Sequence, residues 1–79
     1  MDILILTTEG CTYCDHMKEL CVRAGVEYKT NNTPQDELLK KYPNCQGYPY
    51  VIIDGKEIGG LVEAAKFFLK EGLVSANKG

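Results

Sequence analysis

The sequence predicts one small α/β domain with the element order β-α-β-α-β-β-α, and three observations carry that prediction. Two aliphatic runs, Ile3–Leu6 and Tyr50–Ile53, are long enough for buried strands and too short for helices. Three stretches repeat apolar residues at helical spacing. Gly25, Pro43, Asp54-Gly55 and Gly72 punctuate the chain where each period changes. A strand, a helix and a second strand within the first thirty residues imply a right-handed crossover between parallel strands. A closing hairpin then completes a four-stranded mixed sheet flanked by three helices.

The elements follow in order. Ile3-Leu4-Ile5-Leu6 is the first strand, broken by Thr7–Gly10. From Thr12, residues Tyr13, Met17, Leu20, Cys21 and Ala24 fall on one helical face, with Asp15, Lys18, Glu19 and Arg23 opposite and Gly25 as the stop. Val26-Glu27-Tyr28-Lys29 alternates apolar and charged, as a half-buried second strand does. Thr33 as cap, Pro34 in the first turn and Asp36 after it predict a helix carrying Leu38, Leu39 and Tyr42 on its apolar side. Tyr50–Ile53 and Lys56–Ile58 form a hairpin through Asp54-Gly55. Gly59-Gly60 precedes a last helix over Leu61–Glu71, with Leu61, Ala65, Phe68 and Leu69 aligned on one face. Residues 72–79 are expected to form a loosely ordered tail of a single domain over 1–79.

Composition narrows the function. Nine Lys+Arg against eleven Asp+Glu give a net charge of −2, which argues against binding nucleic acid through its phosphates. No apolar run approaches the ~20 residues that span a bilayer, so no membrane partner is expected. The first residues lack the basic and apolar regions of a secretion signal. A cytoplasmic location and a monomeric state are the expectation. A reducing compartment argues against two structural bridges among the four cysteines, leaving catalysis, metal binding or packing.

Cys11-Thr12-Tyr13-Cys14 lies where the first strand hands over to the first helix. Free N–H groups and the dipole at a helix start favour negative charge, which lowers a thiol pKa from ~8.5 toward neutrality. Spacing of three lets the second sulfur reach the first, so a disulfide opens and closes with little backbone movement. Cys14, one turn inside the helix, should be more buried and less ionised. Thiol–disulfide exchange is therefore the leading chemistry, with Cys11 attacking and Cys14 resolving. The alternatives are half of a zinc site, completed by His16, Cys21 or Cys45 at irregular spacing, and two inert packing thiols.

The strand, C-x-Y-C, amphipathic helix, Tyr48-Pro49 before a strand and Gly59-Gly60 before the last helix together resemble a glutaredoxin of the compact phage type, over residues 2 to 71. The resemblance implies a thioredoxin-like fold and glutathione as co-substrate, with no bound cofactor or metal. It makes Cys11 the nucleophile and Cys14 the resolving thiol, and places Tyr13 beside bound glutathione. It matches Pro49 to a cis-proline facing the cysteines, so that Tyr48 offers its backbone to an extended substrate. Gly60, Leu61 and Val62 match the helix start that receives the γ-glutamyl carboxylate, with Glu63 near the ligand amine. Disulfide-containing proteins, ribonucleotide reductase among them, are the implied targets. The chain departs from the family pattern at Thr12 for proline, Thr8 for lysine, Asp36 for glutamine and Glu63 for aspartate. Thr8 and Asp36 stand where the glycine carboxylate of glutathione is usually held.

Two further functions stay open: a thioredoxin-like redoxin reduced by a flavoprotein reductase, and a non-catalytic metal or iron–sulfur carrier. His16 reads as a solvated histidine and Cys21 as a small buried hydrophobe. Cys45, in the loop before Tyr48-Pro49, is open to an inert or a reactive role, and Lys40-Lys41 to a solvated face or a substitute cation.

Overall fold

Central strands buried on both faces need apolar residues at every position, and the two aliphatic runs supply them. The structure, a computed structural model, describes residues 1–74. Its elements are β1 (Ile3–Thr7), α1 (Thr12–Ala24), β2 (Lys29–Asn32), α2 (Gln35–Lys41), β3 (Tyr50–Ile53), β4 (Lys56–Gly59) and α3 (Leu61–Lys70). The sheet order is β2-β1-β3-β4, with β1 parallel to β2 and antiparallel to β3, and β3 antiparallel to β4. This is the thioredoxin-like arrangement of a four-stranded mixed sheet and three helices.

Strand periodicity divides the core in two. Ile3, Ile5, Val51 and Ile53 point to one face, where they pack with Met17 and Cys21 of α1 and Ala64 and Phe68 of α3. Leu6, Tyr50 and Ile52 point to the other, where they meet Leu38 of α2 and Cys45. Tyr50 donates its hydroxyl to Glu57 Oε1 at 2.6 Å. Burial, and then that bond to Glu57, push its ionisation up.

Three expectations are corrected. The second strand is Lys29–Asn32, not Val26–Lys29. Gly25 takes the left-handed conformation that closes α1, and the chain must then run alongside the sheet before it reaches the β1 register at Leu4 opposite Lys29. Val26 and Tyr28 pack on the core without joining the ladder, while the strand itself is four exposed polar residues on a sheet edge. Polar side chains there discourage further pairing.

The start of α2 also moves. Pro34, not Thr33, takes the N-cap position, and the Thr33 hydroxyl turns back to the Asn31 carbonyl at 3.4 Å. The third correction concerns helix faces. In α3 the fully buried residues are Ala64 and Phe68, whereas Leu69 is 38% exposed; in α1 they are Cys14, Met17 and Cys21, and Tyr13 lies outside. Each face is rotated because the sheet and the α1–α3 contact select it, and adjacent candidates on a helix differ by only ~100°.

The hairpin forms at Asp54-Gly55, both at positive φ (52° and 81°), as a two-residue turn of that twist requires. Pairing between β3 and β4 skips Ile58, a bulge that carries Gly59 opposite Val51. After α3, Gly72 turns left-handed, the Leu73 N–H donates to the Phe68 carbonyl at 2.8 Å, and Leu73 and Val74 pack on the core. The tail is thus packed through residue 74; residues 75–79 of the expected loose segment lie outside the described residues.

Two measurements check this packing. Phe68→Ala removes the largest fully buried side chain and should lower unfolding stability by about 3–5 kcal/mol, whereas Leu69→Ala should cost less than about 1 kcal/mol. Urea titration of both variants separates the observed α3 face from the one read in the sequence. Burial raises the Cys21 thiol from 9.0 to about 11. The folded state therefore keeps a proton that the unfolded chain releases, and stability should fall as pH rises through that window. Cys21→Ala should remove that part of the decline in chemical denaturation across the same pH range.

Candidate active site

Topology brings the site to one end of the sheet. Leu6 lies opposite Tyr50, Thr7 beside Asn32, and Val51 opposite Gly59. The carboxyl ends of β1, β2 and β4 and the amino end of β3 therefore share an edge, and all three helices begin there. Loops beyond strand carboxyl ends are where ligands bind in open α/β sheets.

Gly10 (φ 71°) turns the chain from β1 into α1. Cys11 then occupies the N-cap with extended backbone (φ −91°, ψ 103°), and its sulfur accepts the Cys14 N–H at 3.0 Å. Cys11 and Cys14 form a disulfide with their Cα atoms 5.2 Å apart. Cys14 is 2% exposed and Cys11 partly exposed, the asymmetry that helix position dictates. Among the described residues no group of three or more His, Cys, Asp or Glu is placed to hold a metal ion, and Cys21 and Cys45 are both buried. Tyr13, between the cysteines, is 63% exposed, its ring 6.2 Å from that of exposed His16.

The Tyr48–Pro49 peptide is cis. The Tyr48 hydroxyl donates to the Thr33 carbonyl and ties this loop to the segment entering α2. Burial, then the nearby Cys45 and Asp36 groups, raise the ionisation of that phenol. Cys45 is buried at 7% exposure, with its thiol directed to the Gly47 carbonyl at 3.2 Å. That is a packing position beneath the loop.

At the start of α3 the Glu63 carboxylate accepts the Gly60 N–H at 3.0 Å. Gly60 has no side chain to return the contact, so this is half of a capping box. The next N–H groups of the first turn, from Leu61 onward, have no partner within the helix, because Ala64 is the first to donate back, to Gly60 O at 3.0 Å. Gly59, at φ 126°, is required twice over: a Cβ there would stand 2.9 Å from Glu63 Cγ.

Two adjoining clefts open at this end of the sheet. One of about 300 Å³ is lined by Tyr13, Tyr48, Pro49, Leu61, Val62 and Glu63. Six residues singled out from three separate stretches of sequence thus line one cleft. Beside it, a cleft of about 400 Å³ adds Gly60 to Tyr48, Pro49 and Glu63. Asn44 and Gln46 also line it, and no periodicity or motif in the sequence marks them. Nor does any mark the Tyr48–Thr33 tether, a contact across fifteen residues. Lys40 and Lys41 are exposed in the last turn of α2 and line neither cleft.

No protein-family model and no curated protein matches the sequence. Solved structures do. A glutaredoxin from wheat is 25% identical with a TM-score of 0.70, over 89% of this chain and 71% of its own. The buckwheat glutaredoxin–glutathione complex is likewise 25% identical with a TM-score of 0.70, over 90% of this chain and 70% of its own. The agreement spans nearly the whole chain. The chain shares the thioredoxin-like fold of these glutaredoxins over nearly its whole length, and its Cys11–Cys14 pair makes it a thiol–disulfide oxidoreductase.

Proposed function

We propose that this protein reduces protein disulfides and glutathionylated thiols with glutathione as electron donor, Cys11 attacking and Cys14 resolving. The observation that carries the reading is the N-cap position of the Cys11 sulfur, which already accepts the Cys14 N–H at 3.0 Å. In the reduced protein the same N–H and the helix dipole stabilise a thiolate on Cys11.

That thiolate attacks one sulfur of the substrate disulfide. A mixed disulfide forms and one substrate thiolate leaves. The Cys14 thiol gives up its proton and attacks the Cys11 sulfur, which frees the second substrate thiolate and closes the Cys11–Cys14 disulfide. Two electrons have passed from the dithiol to the substrate. Two molecules of glutathione return them and leave as glutathione disulfide. When the substrate is a glutathionylated thiol, Cys11 takes the glutathionyl group and a second glutathione removes it.

In this reading glutathione lies along the clefts with its two ends held differently. Its γ-glutamyl carboxylate is received by the unpartnered N–H groups of Leu61 and Val62, with its ammonium near the Glu63 carboxylate. Its cysteinyl backbone runs beside Tyr48 and Pro49, and Tyr13 forms the outer wall. The buckwheat glutaredoxin whose structure resembles this one is in complex with glutathione, which supports the same ligand here. Disulfide proteins are the targets; a reducing cytoplasm suits the cycle.

Two variants test the roles. Cys11→Ser should lose at least about 1,000-fold of disulfide reduction, since no other accessible thiol replaces it. Cys14→Ser should lose reduction of protein disulfides yet keep removal of glutathione from a glutathionylated peptide, and should accumulate a glutathione adduct at Cys11 by mass spectrometry. Full turnover by Cys11→Ser would end the mechanism. In Glu63→Gln the KM for glutathione should rise about 3- to 10-fold with kcat little changed, as removal of a binding contact predicts.

A further inference from the structure

Glutathione recognition, as proposed above, leaves open which protein disulfides the site prefers. The charge on the redox end bears on that. Each helix carries acid in its first turn: Asp15 in α1, Asp36 and Glu37 in α2, and Glu63 in α3. Each carries base in its last turn: Arg23, Lys40 with Lys41, and Lys70. Helix dipoles account for each placement separately. They do not account for the gathering, which comes from topology.

Because β1, β2 and β4 run in the same direction and each feeds a helix, all the acidic first turns lie at the end of the sheet that carries the disulfide. Exposed Glu9 joins them from the β1–α1 turn. The basic last turns point away, and Lys29 and Lys56 open β2 and β4 at the far end of the sheet. Lys18 is the exception, held against Asp15 at 3.8 Å. The two clefts show the same bias: their one charged lining residue is Glu63. Exposed Tyr13 and Val62 (63% and 61%) line the smaller one and give a peptide apolar surface beside the acidic first turns.

We infer that the site selects among polypeptide disulfides by charge, and that its preferred substrate carries lysine or arginine beside the reacting cystine. The reaction is the exchange described above, so the inference rests on that reading. The disulfide and its clefts define the site; the acids set which chain approaches it. Each unit charge met at ~10 Å in water changes an encounter by about twofold, and several acting together by about tenfold, with salt screening the effect.

The test uses three peptides that differ only in the residues flanking an internal disulfide: a pair of lysines, of glutamines or of glutamates. The rate at which each oxidises the reduced protein is measured at low and high salt. Each rate is divided by that of the same peptide with dithiothreitol, which removes the intrinsic effect of flanking charge on disulfide reactivity. The lysine peptide should react about tenfold or more faster than the glutamate peptide at low salt, the ratio shrinking to about twofold or less at high salt. Glu9→Gln combined with Glu37→Gln should at least halve the low-salt ratio and leave the glutamine peptide unchanged. A ratio of one or below, or one indifferent to salt, overturns the charge inference while reduction of the glutamine peptide keeps the redox reading. Reduction of none of the three overturns both.

Discussion

The redox end of this protein depends on one local contact, the Cys11 sulfur at the N-cap of α1 accepting the Cys14 N–H at 3.0 Å. An N-cap side chain normally supplies oxygen to that N–H. Sulfur in that position does two things at once. It closes the helix start, and it places the first cysteine where unpartnered N–H groups and the helix dipole favour its anionic form. The second cysteine follows one turn later, within bridging reach and buried. Reactivity and the ability to close the disulfide thus come from the same turn of helix.

That turn would be inert without what the sheet brings to it. β1 delivers α1, the antiparallel β3 begins at the same edge with Tyr48–Pro49 just before it, and the bulge at Ile58 carries Gly59 and Gly60 into place. Gly60 then stands close enough that a Cβ would be 3.6 Å from the Pro49 carbonyl. The start of α3 thus lies against the cis-proline loop, and Glu63 fixes that start through the Gly60 N–H. A larger residue at Gly59 would strike the Glu63 side chain.

Much of this was legible in the sequence where local physics decides. β1 and β3 announced themselves because strands buried on both faces must be continuously apolar; the C-x-x-C position, Gly25 and Asp54-Gly55 are local signals for a helix start, a helix stop and a hairpin. What the sequence did not show depends on distant partners. β2 has no apolar alternation, since Lys29–Asn32 is specified by its register against β1 and by its edge position. Of the α3 face read from the sequence, Phe68 does meet the sheet, but Ala64 is buried beside it while Leu69 lies 38% exposed. From its loop Cys45 was open to an inert or a reactive role, and only the fold buries it against Tyr50 and Leu38. The six residues of the smaller cleft were identified through the family resemblance and lie together, yet Asn44, Gln46 and the Tyr48–Thr33 tether had no sequence signature.

The central claim is that glutathione supplies the electrons. Its most direct test is turnover of a small glutathione mixed disulfide, coupled in parallel to glutathione with glutathione reductase and to a thioredoxin reductase. The account predicts robust turnover in the glutathione-coupled assay, saturating with glutathione. Turnover with the flavoprotein alone would contradict it and leave a thioredoxin-like electron donor on the same fold.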